Sequence, residues 1–179
     1  GLEYIGLRYF NVFGPKQDPG GAYAAVIPLF FKAALENKSP VIDGNGSNSR
    51  DFTFVANAVE ANLLSLFASS QSLSSTKNQK TKDNTNPVNK IYNVACGEET
   101  TLNQLWGYIK NITRCEVDPI YGPNRAGDIL HSLADVTKAK ELLRYSANVK
   151  VKEGLQESFE WYKKRDMTKL NTYNILQYI

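Results

Sequence analysis

Short runs of branched and aromatic residues alternate along this chain with longer segments whose apolar residues recur every three or four positions. That alternation is the strongest constraint on the fold, because runs of the first kind suit strands buried on both faces and segments of the second kind suit amphipathic helices. Taken in turn, they point to an α/β architecture with a parallel sheet. Residues 2–13 carry Tyr4, Ile5, Leu7, Tyr9, Phe10, Val12 and Phe13 and close on Gly14-Pro15, which predicts a buried strand, one that begins as if cut from something longer. Val26, Phe30 and Ala34, beside Ile27, Phe31 and Leu35, predict a helix that tolerates Pro28 in its first turn and ends near Asn37-Lys38. Val41-Ile42 and residues 51–55 read as two short strands around an Asp43-Gly44-Asn45-Gly46 turn. A helix is expected over 57–68, with Val59, Leu63 and Phe67 on its apolar face.

Residues 69–89 interrupt the pattern. Apart from Leu73 and Val88 they are Ser, Thr, Asn, Gln and Lys, which bury too little to offset the entropy of ordering, so a flexible polar insertion is expected. The alternation then resumes with a strand over 91–95. Thr101 and Gln104 form a capping box ahead of Leu102, Leu105, Ile109 and Ile112. Residues 118–121 read as a strand, Asp135 as the N-cap of a helix through Leu143, and Leu155, Phe159 and Tyr162 as the face of a last helix.

Composition serves mainly to exclude. The 179 residues are 42% hydrophobic and 22% charged, a globular balance, and no apolar run approaches the roughly 20 residues of a membrane span. The start lacks a signal-peptide layout, so the chain reads as soluble, unexported and free of membrane. Cys96 and Cys115 have no metal or disulfide spacing and read as reduced thiols of a cytoplasmic protein, while a lone His131 excludes a multi-histidine metal centre. The net charge of +3 resides in the polar insertion and Lys90, so no nucleic-acid partner is expected. No glycine-rich dinucleotide turn and no Tyr-x-x-x-Lys pair occurs. His131, Ser132 and Asp135 lie too close in sequence to make a hydrolase triad, and no nucleophile elbow accompanies them.

Three polar signals stand out: Arg8-Tyr9-Phe10-Asn11-Val12-Phe13-Gly14, then Ser49-Arg50-Asp51-Phe52, then Arg125-Ala126-Gly127-Asp128 followed by His131-Ser132-Leu133-Ala134-Asp135. In their order and spacing the chain resembles the C-terminal half of the extended short-chain dehydrogenase/reductases, the NAD-dependent nucleotide-sugar 4-epimerases in particular. Gln17-Asp18-Pro19 and Gly21-Ala22-Tyr23-Ala24-Ala25-Val26-Ile27-Pro28 resemble most the subgroup acting on UDP-N-acetylglucosamine. The resemblance implies the last strands of a Rossmann-like parallel sheet plus a small α/β substrate-binding domain. Its segments would be a Rossmann strand at 1–13, a substrate-binding segment at 14–69, the insertion at 70–89, a returning Rossmann strand and helix at 90–113, the substrate-binding domain at 114–165 and a tail at 166–179.

The same resemblance implies roles for single residues. Arg50 and Arg125 match the arginines that grip the substrate diphosphate, and a planar guanidinium suits phosphate oxygens through parallel charge-assisted hydrogen bonds. Either arginine could instead form an ion pair with Asp51 or Asp128. Asn11 matches an asparagine that hydrogen-bonds the phosphate and sugar region, though it also suits the turn before Gly14-Pro15. Ala25 and Val26 match the segment whose backbone addresses uracil; Val41, Asp43 and Phe52 match positions walling base and ribose, where apolar residues also serve as core. Asp128 matches a ribose-binding carboxylate, and Gly127-Asp128 would equally make a turn. Ser132 matches the position that limits the substituent at hexose C2, where serine leaves volume for an N-acetyl group; it could also cap the helix near Asp135. Tyr9 matches a residue near the nicotinamide. Where relatives carry Asp ahead of the helix near Asn57 this chain has Ala56, which leaves Asn57 as the available cap.

No catalytic or metal-binding residue is expected on this chain: the tyrosine, the lysine, the glycine-rich turn and most NAD contacts would lie upstream of Gly1. The resemblance implies a UDP-sugar substrate and a homodimeric full-length protein. Two other readings stay open: a different extended family member, such as a UDP-glucuronate epimerase or decarboxylase or a dTDP-glucose dehydratase, and a non-catalytic sugar-nucleotide-binding module.

Overall fold

The computed structural model describes residues 2–20, 25–74 and 86–164. In chain order the elements are β1 (Ile5–Tyr9), β2 (Val12–Phe13), α1 (Val26–Leu35), β3 (Val41–Asp43), β4 (Ser49–Arg50), β5 (Thr53–Phe54), α2 (Val55–Ser74), β6 (Lys90–Val94), β7 (Thr100–Thr101), α3 (Leu102–Thr113), β8 (Ile120–Gly122), α4 (Thr137–Leu143) and α5 (Val151–Lys163). The fold is α/β, with parallel pairing of β1 to β6 and of β3 to β8. The chain divides into two compact units, Gly1–Val12 with Asp51–Glu99 and Leu133–Val151, and Phe13–Arg50 with Thr100–Ser132 and Lys152–Ile179. This division follows packing, so it parts the expected 14–69 segment between Arg50 and Asp51 and the expected 90–113 segment between Glu99 and Thr100.

In the first unit, β1 and β6 pair in register from Ile5 with Lys90 to Tyr9 with Val94. The run expected over 2–13 breaks after Tyr9, because Asn11 turns to a left-handed φ of 36° that a strand cannot hold. Tyr92, Val94, Ala58, Ala61, Ala139, Leu143 and Tyr145 fill the core beneath this pair. The helix expected over 57–68 starts two residues earlier and runs on to Ser74, into the span expected to be a flexible insertion; residues 75–85 of that insertion lie outside the described residues. Asn57 does not cap it: it is 1% exposed, accepting from the Val149 N–H at 3.1 Å and donating to the Val149 carbonyl at 2.7 Å. The apolar face is also not the one expected inside. Small Ala58 and Ala61 face the core, and Val59, Leu63 and Phe67 are 53, 51 and 60% exposed. Asp135 acts one residue ahead of the assigned cap of α4, Val136, accepting the Thr137 N–H at 2.9 Å. That contact holds its carboxyl below the usual range.

In the second unit, α1 packs on α3, with Phe30 edge-on to Trp106, and Phe31 stacks against Phe159 and Tyr162 of α5. The capping box of α3 forms as the sequence predicts, Thr101 accepting the Gln104 N–H and Gln104 accepting the Thr101 N–H. The next N–H groups of α3, from Leu102 and Asn103, donate to the Asn48 and Gly46 carbonyls, so the β3–β4 loop is tied to the start of that helix. Gly46 sits at φ 74° and a Cβ there would collide with the Asn103 amide, which is why this turn needs glycine.

Candidate functional site

Arg50 ends β4, which pairs antiparallel with β7, while the Ser49 N–H donates to the Leu130 carbonyl at 2.8 Å. With its backbone held from both directions, the side chain is held as well. Nη1 donates to the carbonyls of Ser49 at 2.8 Å and Ile129 at 2.6 Å, and Nη2 to Asp128 Oδ1 at 2.6 Å. The second Asp128 oxygen accepts from Asn48 Nδ2 at 2.7 Å. Of the ion pairs the sequence allowed, the fold makes Arg50–Asp128, its side chains 20 and 30% exposed. At that exposure the pair adds little stability; its effect is to orient the guanidinium. A guanidinium has five N–H donors, and three are engaged here, so two remain to meet an anion.

A cavity of about 600 Å³ opens beside this network. Its walls are the β3–β4 loop at Gly44, Asn45, Ser47 and Asn48, the end of β8 with Pro123 and Asn124, and Leu130. Asn48 thus faces the cavity and holds Asp128 at once. Tyr121 braces the wall by donating to Asn103, which donates in turn to the Asn45 carbonyl. Two of the expected residues are chain neighbours of this wall: Asp43 precedes Gly44, and Arg125 follows Asn124. Arg125 is exposed, and its carbonyl accepts from Asp128 N–H in the turn through Gly127, at φ 76°. Both expected phosphate-binding arginines are therefore linked to Asp128, Arg50 by its side chain and Arg125 by its backbone.

The remaining expected residues of this unit are dispersed around it. Val41 is 64% exposed and Asp43 is exposed on β3. Ala25 is exposed at the start of α1 and makes no side-chain cap, which leaves the N–H groups of half-buried Val26 and of Ile27 uncapped by a side chain. Residues 21–24 of the same motif lie outside the described residues. Ser132 is half-buried, and its neighbour His131 bonds through Nδ1 to Ser49 Oγ at 2.9 Å. Ser49 is 1% exposed, so this contact is a tie and not a nucleophile with its base.

In the first unit, Asn11 donates through Nδ2 to the Asp51 carbonyl at 3.1 Å and accepts the Thr53 N–H on its own carbonyl at 3.2 Å. Its amide nitrogen, expected at a phosphate or sugar, is committed to the backbone, and Oδ1 is left for a ligand. Phe52, expected as a wall for base and ribose, is 4% exposed in the core and offers almost no surface. Tyr9 is 47% exposed and donates to Asn62 Oδ1 at 3.0 Å.

The residue that sequence reasoning passed over is Asp51. Fully buried, it accepts N–H groups from Cys96 at 2.8 Å on Oδ1, and from Gly97 at 3.0 Å and Ala134 at 3.3 Å on Oδ2. Burial pushes its carboxyl above the usual range, against the three N–H groups, which pull it down. Extended backbone sends neighbouring side chains to opposite sides, so an Arg-Asp pair with one member at a surface site places the other inside. That was a signal available before the structure. Asn48 carried none, because its role depends on Asp128, 80 positions away. Among the described residues no group of three His, Cys, Asp or Glu could hold a metal ion, and no helix is long and apolar enough to cross a membrane.

The site thus orients one guanidinium through Asp128 and Asn48, and Asn48 also lines the cavity. The model of the family described as "NAD dependent epimerase/dehydratase family" matches residues 1–95. The chain belongs to this family. A putative UDP-glucose 4-epimerase of Methanocaldococcus jannaschii is 34% identical over 168 residues, 94% of this chain and 48% of that protein. The structure of the Thermotoga maritima UDP-glucose 4-epimerase with UDP-glucose superposes with a TM-score of 0.76 at 36% identity, covering 91% of this chain and 47% of that one. The UDP-N-acetylglucosamine 4-epimerase of Methanobrevibacter ruminantium, in complex with UDP-N-acetylmuramic acid, gives 0.75 at 38% identity, covering 90% and 46%. The chain therefore spans about half the length of the family members it matches.

Proposed function

We propose that this chain is the UDP-sugar-holding part of an NAD-dependent nucleotide-sugar 4-epimerase, acting on the UDP-N-acetylglucosamine/UDP-N-acetylgalactosamine pair. The observation that carries the reading is the Arg50–Asp128–Asn48 network, which uses three of the five guanidinium donors and whose Asn48 lines a cavity of about 600 Å³. Arg50 and Arg125 hold the diphosphate, Asp128 and Asp43 address the ribose, and the uncapped start of α1 at Ala25 and Val26 addresses the base, with Val41 as its wall. Anchoring the diphosphate leaves the hexose free to turn over between two hydride transfers at C4, the motion a 4-epimerisation through a keto sugar requires. Half-buried Ser132 leaves room for an N-acetyl group on the turning ring. Bound NAD would supply the hydride acceptor and donor that C4 requires. The described residues fit it at one point, the exposed Tyr9 phenol, and carry neither a glycine-rich turn nor a Tyr-x-x-x-Lys pair, so the reaction needs a second half and this chain alone is inactive. The reading extends to a cytoplasmic homodimer; two buried free thiols suit a reducing compartment.

Calorimetric titration of UDP and of UDP-N-acetylglucosamine into the chain tests the reading. Both should bind, Arg50→Ala should weaken UDP at least about 30-fold, and Arg50→Lys should recover only part of the loss, because lysine cannot keep the forked geometry. Absence of UDP binding to the wild-type chain would refute it.

A further inference from the structure

The loop between β3 and β4 carries Asn45-Gly46, the one Asn-Gly pair in the sequence. Such a pair forms turns, and it also reacts: a backbone nitrogen can attack the side-chain carbonyl carbon of the asparagine before it, and glycine, without a Cβ, obstructs that approach least. The fold decides how the reacting groups are held. Asn45 is exposed, and its Oδ1 accepts two hydrogen bonds, from the Ser47 N–H at 3.0 Å and from the Ser47 hydroxyl at 2.6 Å. A backbone N–H only donates, so the first contact fixes which end of the amide is the oxygen.

Two donors on one carbonyl oxygen stabilise the negative charge that grows there when its carbon is attacked. The nucleophile is uncommitted as well. Gly46 is buried, its carbonyl accepts the Asn103 N–H at 3.1 Å, and its own N–H makes no hydrogen bond among the described residues. Nearly every backbone N–H of a buried residue has a partner, so an idle one next in the chain to an activated carbonyl calls for a reason. Asn45 Nδ2, the group that would leave, also donates to nothing among the described residues.

We infer that Asn45 is a self-modification site on the wall of the cavity, with Gly46 as nucleophile and Ser47 as the holder of the developing charge. The Gly46 nitrogen bonds to Asn45 Cγ and gives up its proton; the Cγ–Nδ2 bond breaks, and ammonia departs with that proton, leaving a cyclic imide. Water then opens the ring. Addition at Cγ yields aspartate, and addition at the main-chain carbonyl yields isoaspartate, whose backbone runs through Cγ and is one atom longer. Either way a neutral amide becomes a carboxylate on the wall that also carries Asn48, the residue holding Asp128. In isoaspartate the new carboxylate is the former Asn45 main-chain carbonyl, which now accepts from Asn103 Nδ2 at 2.9 Å, so the brace on the loop changes too. The modification stands on the loop alone; its effect, weaker binding of an anionic ligand at Arg50, rests on the function proposed above.

Incubating the chain at neutral pH and following its peptides by mass spectrometry reads the reaction directly. The peptide holding Asn45 should gain about one mass unit, placed at Asn45 and not at Asn48 by its fragments, and labelling by an isoaspartyl methyltransferase should mark part of the product. Peptides holding Asn37 and Asn103 should stay unchanged over the same time. Ser47→Ala should slow the gain about 10-fold, and Ser47→Thr, which keeps the hydroxyl, should restore most of the rate. In urea, where the Ser47 contacts are lost, wild type and Ser47→Ala should react alike. Calorimetry should find UDP binding to the modified chain weakened about 10-fold relative to fresh chain, and no such decline on ageing of Asn45→Gln, whose longer side chain closes a ring far more slowly. Four results would overturn the inference: an Asn45 peptide that changes no faster than those of Asn37 and Asn103, a Ser47→Ala rate equal to wild type, a Ser47→Ala effect that persists in urea, or modified chain that binds UDP as fresh chain does. Fresh chain that takes up no UDP would instead sink the proposed function, while the mass gain at Asn45 is still read.

Discussion

Replacing Asp51 should reveal how much of the first unit hangs on one carboxylate. The side chain is fully buried and receives the N–H groups of Cys96, Gly97 and Ala134, so Asp51→Ala strands three donors away from water. Each stranded group costs roughly 1–3 kcal/mol, and relaxation of neighbouring backbone prevents the three from adding fully, which gives an expected loss of about 3–5 kcal/mol. With a urea slope near ~2 kcal/mol/M the unfolding midpoint should fall by about 2 M. Asp51→Asn separates charge from geometry. Its one oxygen can serve Cys96, while its NH2 group faces the donors of Gly97 and Ala134, so a loss of about 2–3 kcal/mol is expected in spite of the burial penalty it removes. The pH dependence has a definite sign. Burial raises the folded-state carboxyl above 3.8, so the folded state binds its proton more readily than the unfolded chain. The stability advantage of wild type over Asp51→Asn should therefore grow as pH falls from above that raised value toward 3.8. Losses under about 1 kcal/mol for both variants, or an advantage that shrinks on acidification, would refute the reasoning.

Asn57→Ala removes an amide that both donates to and accepts from Val149, and should cost about 2 kcal/mol in urea unfolding without altering UDP binding. Thr101→Ala should cost about 1 kcal/mol through loss of the α3 cap, and Gln104→Ala should add little once Thr101 is gone, because the two act as one box. In a protein joining this chain to an NAD-binding half, Ser132→Tyr should depress turnover of UDP-N-acetylglucosamine by about 10-fold or more while sparing UDP-glucose; equal losses on both, measured by coupled assay, would remove Ser132 from specificity.

Local signals were legible wherever a structure depends on near neighbours. The capping box at Thr101 and Gln104, the glycine turn at Gly44 and Gly46 and the start and end of α1 all follow from residues within a few positions of each other, and the structure reproduces them. The α2 helix shows the limit of that reasoning. Its spacing marks Val59, Leu63 and Phe67 as a buried face, but helical period records only that a face is apolar and says nothing of what lies opposite, and small Ala58 and Ala61 are what face the core here. Asn57 failed as a cap for the same reason, since its partner Val149 is 92 positions away.

What the sequence determined by itself was the α/β alternation, the order of the helices and the three polar motifs, all of them written in spacing and residue type. Only the tertiary structure decided that Arg50 pairs with Asp128 instead of Asp51, that Asp51 gathers three distant N–H groups, and that Phe52 belongs to the core. The reason is that a charged side chain's partner is chosen by where the backbone carries it. Between Arg50 and Asp128 that path crosses 78 positions, a separation that no local periodicity encodes.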